Sequence, residues 1–265
     1  MDAIAQFKEM QKQGWVRFAP LQAHTIGPAA RLVKFASICS GHRVLDVGCG
    51  TGVVAITAAR VGANVTGIDL TPELLSHARE NASIANVAVE WQEGDVENLR
   101  FGDSSFDVVV SQFAHMFGPR PEIAIREMLR VLKPEGTIAF ATWPPELLVG
   151  RSFSLVSRYA TPPPAGVAPP GLWGDPNVVR ERLGSAVKHL VFDRARMDVP
   201  ALSVQHVRNM IEKTAGPIVK LVEFLSATNP GKLEAFRSEY DALVSEYLED
   251  NIVHQGYLLT RAIRC

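Results

Sequence analysis

Short apolar runs alternate with longer amphipathic stretches through the middle of the chain. Residues 43–47 are a short β-rich run, and the Ala-rich stretch 53–61 after them is apolar on most sides. The same alternation continues to residue 142 and predicts strands at 43–47, 64–69, 87–91, 106–110 and 137–141 and helices at 53–61, 72–85 and 121–132. Such alternation is typical of a parallel sheet with helices on both faces.

The two flanks of this region have other patterns. Residues 1–40 are predicted to be mostly helical with a break near Pro20, and prolines make residues 161–170 a stiff, extended loop. Two more strands are predicted at 187–193 and 257–263, separated by the helical periodicity of residues 203–248.

These patterns predict one α/β domain over residues 1–265. Its parts are an N-terminal helical cap, a core and a substrate-side region with a helical insertion before the last strand, over residues 1–40, 41–142 and 143–265.

Composition narrows the function classes. The 265 residues are 47% hydrophobic and carry a formal net charge of −1, so the chain can build a core but has no long-range field to attract nucleic acid or an anionic membrane. No leader peptide or membrane-spanning run is apparent. Cys39, Cys49 and Cys265 lack the spacing of a metal site, so we expect packing roles, no bound metal and a cytoplasmic location.

A glycine-rich turn between the first strand and the first helix is the most informative segment. It reads D-x-G-x-G-x-G, with Asp46, Gly48, Gly50 and Gly52 at the defined positions. Glycines allow a sharp turn and let a ligand lie on the backbone. A nicotinamide fingerprint, G-x-G-x-x-G, would need a third glycine where Val53 stands, which disfavours an oxidoreductase. A simple packing turn is the remaining alternative.

Two acids follow the next two strands. Asp69 ends the second strand, where an acid in a doubly wound fold can accept both ribose hydroxyls of an adenosine. Asp95 follows the third strand, where a carboxylate can accept from an adenine amino group. Taken separately, Asp69 is also explained as a helix-capping acid and Asp95 as a turn residue. As a series with the glycine-rich turn, they favour binding of an adenosine.

Together these motifs carry a family resemblance. The segments Val44–Gly52, Asp69, Glu93–Asp95, Ser105–Ser111 and Arg130–Gly136 resemble the class I S-adenosylmethionine-dependent methyltransferases, in particular the small-molecule type of ubiquinone and menaquinone biosynthesis. The resemblance covers about residues 41–142 and implies a Rossmann-like, doubly wound, mostly parallel sheet of seven strands whose last strand is antiparallel. It also implies S-adenosylmethionine as the cofactor.

The resemblance further implies which residues contact the cofactor. Asp46 would orient the ammonium group of the methionine part, and Ser111 would border the methyl-transfer chamber. The turn would pass beneath the methionine, and the acids with their neighbours would hold the ribose and adenine. The implied cofactor-binding residues are Asp46, Gly48, Cys49, Gly50, Gly52, Asp69, Leu70, Asp95, Val96 and Ser111.

Histidine and aromatic side chains are candidates for the acceptor side. His115 follows the fourth strand, where it could deprotonate an acceptor hydroxyl, although a packing role is the competing explanation. His24 is a weaker candidate for the same role. Aromatic residues outside the core and the loop at 161–170 could wall a partly apolar pocket or plug the core; they are Trp15, Phe18, Trp143 and Trp173.

The sequence therefore predicts methyl transfer from S-adenosylmethionine to a small-molecule acceptor. An NAD(P)-dependent oxidoreductase and a cofactor-binding module without turnover remain as alternatives. Residues 111–114 lack the Asp/Asn-Pro-Pro-aromatic motif of many amino-group methyltransferases, which disfavours nucleobase substrates. We expect a small-molecule partner and neither nucleic acid nor membrane.

Overall fold

A computed structural model describes residues 2–265, in which eight strands form one sheet. The strands are β1 (Arg43–Val47), β2 (Asn64–Asp69), β3 (Glu90–Glu93), β4 (Phe106–Gln112), β5 (Leu132–Thr142), β6 (Val187–Pro200), β7 (Leu248–Glu249) and β8 (Ile252–Arg264). The α-helices are α1 (Ala3–Trp15), α2 (Gln22–Phe35), α3 (Val53–Arg60), α4 (Pro72–Ile84), α5 (Pro121–Val131), α6 (Leu148–Tyr159), α7 (Pro176–Leu183), α8 (Val204–Thr214), α9 (Gly216–Thr228) and α10 (Pro230–Ser245).

The sheet confirms the predicted mostly parallel fold but has eight strands where seven were expected. The strand order is β3-β2-β1-β4-β5-β8-β6, and the additional strand is the two-residue β7, which pairs with β8. Neighbours from β3 to β5 pair in parallel, whereas β8 is antiparallel to both β5 and β6. Helices α8 to α10 lie between β6 and β8 in the chain, so the predicted helical insertion before the last strand is confirmed.

The central strands show why this sheet forms. Val44 and Leu45 of β1 and Val109 of β4 are fully buried, because helices cover both faces of the parallel sheet. A strand buried on both faces gains hydrophobic stabilisation from every side chain, which accounts for its nearly continuous apolar sequence. The carboxyl ends of these strands define the edge of the sheet from which the functional loops begin.

Several strand boundaries differ from the prediction. The third strand was expected at residues 87–91 but begins at Glu90, because the Val87 N–H donates to the Ala82 carbonyl as the chain leaves α4. The fifth strand begins five residues earlier than expected, since Leu132 already pairs with Phe106 before a register shift. The last two long strands extend beyond their predicted ends because they pair with each other over residues 187–200 and 252–264.

The N-terminal region packs against the helical insertion. A 3₁₀ helix (Val16–Leu21) containing Pro20 separates α1 from α2, at the predicted break. Gly14 of α1 and Gly216 at the start of α9 are both buried and touch through their backbones. A Cβ atom at Gly14 would lie 3.2 Å from the Gly216 Cα atom, so both glycines are needed for this approach. No helix within residues 2–265 is long and apolar enough to span a membrane.

We predict that Gly14→Val separates α1 from α9. The new side chain has no room at this contact, whereas Gly27 of α2 has no atom within 4 Å of the place of a Cβ atom. Gly27→Val is therefore the matched control for the helix propensity of valine. Thermal unfolding and limited proteolysis should show a lower melting temperature and earlier cleavage of residues 2–15 in Gly14→Val alone. Equal behaviour of the two variants would contradict the packing argument.

Candidate active site

A cavity of ≈ 290 Å³ opens at the carboxyl ends of the parallel strands. Its floor consists of the glycine-rich turn after β1 and the loops after β2, β3 and β4. Its roof comes from both flanks of the chain, with lining residues on α1, α2, α6, α8 and α9. Ligands of open α/β sheets bind at this edge, so the cavity is the candidate active site.

The glycine-rich turn presents bare backbone to the cavity. Gly48 and Gly50 have φ angles of 68° and 54°, in the region that favours glycine. No atom of the described residues lies within 4 Å of the place of a Cβ atom at Gly50, so the space above its backbone is open. At Gly48 the same place lies 2.3 Å from the Ala114 Cβ atom, so the turn packs directly on the loop after β4.

Asp69 joins two of the cavity loops. Its Oδ2 atom accepts a hydrogen bond of 2.8 Å from the Gly50 N–H, and its Oδ1 atom accepts one of 2.9 Å from the Thr71 N–H. Burial raises the pKa of this carboxyl group, and the backbone donors oppose that shift. The carboxylate lines the cavity and retains lone pairs for a further donor.

Asp46 has an unsatisfied oxygen at the base of the turn. Its Oδ2 atom accepts from the Ala55 N–H at 3.0 Å, but its buried Oδ1 atom has no hydrogen-bond partner among residues 2–265. Burial raises the pKa of Asp46 to about 7, and the charge of Asp69 adds to the shift. A buried oxygen without a partner is costly, so this site fits a ligand that brings a cation or a hydrogen-bond donor.

The loop after β3 is tied to the roof by an ion-pair network. Lys8 of α1 places its Nζ atom 2.6 Å from both Asp95 Oδ2 and Glu97 Oε2. The guanidinium of Arg120 also binds Glu97, whose side chain is 1% exposed. Lys8 itself lines the cavity. Lys8 was not predicted from the sequence, because a lysine on an amphipathic helix carries no signal of its partner.

Most of the predicted cofactor-binding residues lie together, but two of them do not reach the cavity. The lining residues are Asp46, Gly48, Cys49, Gly50, Asp69, Leu70, Asp95 and Val96. Gly52 is the N-cap residue before α3 and is packed against Trp91, where a Cβ atom would lie 2.7 Å from the indole ring. Ser111 is fully buried; its Oγ atom donates to the Val47 carbonyl at 2.7 Å and accepts from the His115 N–H at 3.1 Å.

His115 lies in the cavity wall in a closely packed environment. Its ring centroid is 4.6 Å from that of Phe140 and 4.7 Å from that of Trp173. Neither ring nitrogen has a hydrogen-bond partner among the described residues. Burial lowers the pKa of His115 to about 3, and the charge of Arg182 contributes to the shift. The imidazole is therefore neutral near pH 7 rather than poised to change charge there, as an unperturbed histidine would be.

The aromatic candidates divide between the two expected roles. Trp15, Phe18 and Trp143 line the cavity, as does His24, whereas Trp173 is a buried plug and residues 161–170 do not reach the lining. The indole of Trp143 stacks on the ring of Phe113, and the two ring centroids are 3.9 Å apart. Phe113 has a φ angle of 57°, which is uncommon for a bulky residue and occurs here next to the ligand edge of the sheet.

Much of the roof was likewise not predicted from the sequence. Helices α6, α8 and α9 contribute a large apolar surface to the cavity. On α8 the lining residues are Val207, Met210 and Ile211. Their spacing of three and four residues is the signal of an apolar helix face, but it did not show which partner that face would cover.

Comparisons with known proteins agree with this architecture. Residues 45–140 match the model of a family described as "Methyltransferase domain". An uncharacterized protein of Mycobacterium tuberculosis is 33% identical over 238 residues, or 89% of this chain and 86% of that protein. A malonyl-[acyl-carrier protein] O-methyltransferase of Pectobacterium atrosepticum is 40% identical over 140 residues, covering 53% of each protein. The solved YcgJ protein of Bacillus subtilis superposes with a TM-score of 0.58 at 22% identity, over 91% of this chain and 98% of that one.

The chain belongs to the class I S-adenosylmethionine-dependent methyltransferases. It is an enzyme of that class with S-adenosylmethionine as its cofactor, as the sequence resemblance implied. The residues of the site fit this group. The open backbone at Gly50 leaves room for a ligand, and the unpartnered Asp46 Oδ1 atom offers an acceptor to an ammonium group.

We predict that Ser111→Ala lowers stability by about 1–3 kcal/mol. The substitution leaves the buried His115 N–H and the Val47 carbonyl without their shared partner, which costs their desolvation. Ser157, an exposed serine whose hydroxyl donates to the Ser154 carbonyl, provides the control Ser157→Ala. Urea unfolding of both variants measures the difference. A Ser111→Ala protein as stable as its control would mean that these bonds contribute nothing.

Proposed function

We propose that the enzyme transfers the methyl group of S-adenosylmethionine to a small-molecule acceptor. The observation that carries this proposal is that the glycine-rich turn and the apolar chamber beneath the roof helices share one concave cavity. A chamber of this kind admits a small molecule beside the cofactor site. A folded protein surface or a nucleic acid duplex would need an open groove instead.

The alternatives receive less support from the site. A nicotinamide cofactor would need glycine where Val53 stands, and Val53 is the first residue of α3. A module that binds the cofactor without turnover needs no space for an acceptor beside the cofactor site. The chamber lined by α6, α8 and α9 therefore favours the transferase.

We assign the cofactor contacts from the geometry of the site. Asp46 accepts from the ammonium group through its unpartnered oxygen, and Asp69 accepts from the ribose hydroxyls with its remaining lone pairs. The backbone of Gly48 and Gly50, with Cys49 between them, supports the methionine part. Gly52 and Ser111 act indirectly, by fixing the start of α3 and the loop after β4.

The adenine contacts are shared with the roof. Leu70 and Val96 offer apolar surface to the ring, and Asp95 accepts from its amino group. Because Lys8 already binds Asp95 Oδ2, the amino group shares that carboxylate with the lysine. A carboxylate has about four lone-pair sites, so both donors can be accommodated.

In this arrangement the enzyme accelerates the reaction by positioning the acceptor and by excluding water. When bound, S-adenosylmethionine supplies a methyl group that is already activated on a positively charged sulfur. The protein's part is to hold the acceptor in line with that group, which accounts for a large share of the rate in reactions of two bound partners. The aromatic residues Trp15, Phe18 and Trp143 line the cavity and leave less room for water beside a bound acceptor.

Two measurements test the proposal. Calorimetry should detect binding of S-adenosylhomocysteine and none of NADH. Incubation with S-adenosylmethionine labelled on its methyl group and a metabolite extract should then place the label in compounds of low molecular mass. Label found only in protein or nucleic acid, or no transfer despite binding of the cofactor, would reject the small-molecule acceptor.

We predict that Asp69→Ala weakens binding of S-adenosylhomocysteine at least tenfold. The substitution removes charge-assisted hydrogen bonds to the ribose, each contributing roughly 1.5–3 kcal/mol, and releases the Gly50 N–H from its partner. Asp103→Ala, at an exposed acid outside the cavity, is the control. Isothermal titration of both variants gives the comparison, and unchanged affinity in Asp69→Ala would remove that residue from the site.

We predict opposite effects of Asp46→Asn on stability and on binding. The folded-state pKa of Asp46, about 7, lies above its value in an unfolded chain, so the free protein loses stability as pH rises towards 7. Asparagine carries no charge and avoids this loss. The variant should melt at a higher temperature than the parent at pH 8, should lose most of that advantage at pH 5, and should bind S-adenosylhomocysteine more weakly at pH 8. The same melting difference at both pH values would contradict this account.

The role of His115 as a general base stays a prediction, and the structure changes its expected pH dependence. With a pKa of about 3 the imidazole is already neutral at pH 5, so kcat/KM should not rise between pH 5 and 8 on its account. His115→Ala should lower kcat by roughly 100-fold and leave the affinity for S-adenosylhomocysteine intact. A lower melting temperature with normal turnover per folded molecule would show that the ring only packs.

A further inference from the structure

The charged lining residues of the cavity all lie at the cofactor loops or are bound to them. They are Asp46 near the end of β1, Asp69 at the end of β2, Asp95 on the loop after β3, and Lys8, whose ammonium group is held by Asp95 and Glu97. The rest of the lining beneath the roof is here called the acceptor chamber, and none of the residues 2–265 places an Asp, Glu, Lys or Arg side chain in it. It comprises lining residues of α6, α8, α9 and α10, with Trp143, Met197, Ala215 and Gln255.

This absence of charge does not reflect the composition of the helices. Helix α8 carries Arg208 and Glu212, but their side chains pair with Asp241 and Arg237 of α10 instead of entering the chamber. Arg151 of α6 pairs in the same way with Glu246. The helices therefore direct their charges to one another and their apolar residues to the chamber.

The polar groups that remain in the chamber are uncharged. The Ser152 hydroxyl donates to the Leu148 carbonyl within its own helix, at 2.8 Å. Tyr240 is 5% exposed, and burial raises the pKa of its hydroxyl group, so it stays neutral. Gln255 of β8 is the third such residue. These groups can hydrogen-bond a ligand but cannot neutralise a charge.

From this segregation we propose that the acceptor is an uncharged, largely apolar molecule with few hydrogen-bonding groups. The proposal rests on the methyl-transfer function proposed above and deepens it. A carboxylate, phosphate or ammonium group in the chamber would lose its hydration without gaining a counter-charge, which is strongly unfavourable. The malonyl group in the name of the Pectobacterium atrosepticum relative is an acid, and this chamber offers no cation for one.

Three probes of similar shape and different charge test this inference. They are 4-butylphenol, 4-butylbenzoate and 4-butylbenzylamine, titrated calorimetrically at pH 7 into the full chain saturated with S-adenosylhomocysteine. The neutral phenol should bind at least tenfold more tightly than either charged probe. Comparable binding of the three, failure of all three to bind, or preference for a charged probe overturns the proposal.

A charge placed inside the chamber should reverse the preference. Met210→Arg puts a cation on the lining face of α8, and we expect it to bind the benzoate at least tenfold more tightly than the parent does while losing the phenol. Met210→Leu keeps the apolar wall, and Asn209→Arg adds the same charge at an exposed position of the same helix. Both controls should keep the preference of the parent. If Asn209→Arg also came to prefer the benzoate, the change in preference would be due to net charge. That result would reject the role of the chamber.

Failure of this inference can be told from failure of the proposed function. Saturation with S-adenosylhomocysteine is measured first, and transfer of labelled methyl to a small molecule is measured independently of the probes. A protein that binds the cofactor and methylates a charged metabolite retains its proposed function and loses only the inference about the acceptor.

Discussion

The carboxylate of Asp69 holds two separate loops in the positions that define the site. By accepting from the N–H groups of Gly50 and Thr71, it joins the turn after β1 to the start of α4. The turn could otherwise take many conformations, because glycine restricts the backbone least. One buried acid at the end of a central strand thus converts a flexible segment into a fixed floor, and its burial keeps these bonds out of competition with water.

The sequence was sufficient to predict the parts of the fold and site that depend on local pattern. The apolar runs of β1 and β4 are buried on both faces, as the prediction of a parallel sheet covered by helices requires. The turn from Asp46 to Gly52 and the acids Asp69 and Asp95 follow strands of one sheet, and parallel strands bring their carboxyl ends to a common edge. Their proximity therefore followed from topology without knowledge of any side-chain contact.

The other features of the site depend on contacts between segments that are far apart in the chain. Such contacts cannot be identified from a single sequence. Lys8 and Asp95 meet only because α1 folds over the loop after β3. Ser111 was expected at the chamber, but its position in the strand turns the hydroxyl towards Val47. The pKa of His115 depends on its burial between Phe140 and Trp173, and Trp173 comes from a segment far along the chain. Such effects are set by packing, and packing is known only when the partners are known.

The backbone contact between Gly14 and Gly216 connects the covers of the two halves of the cavity. Helix α1 lies over the loop after β3 through Lys8, and α9 lies over the acceptor chamber. Neither helix can lift far without disturbing the other, because no side chain separates them. Any opening motion that displaces α1 therefore displaces α9 as well, so access to the loops after β1 to β4 and access to the acceptor chamber are mechanically coupled.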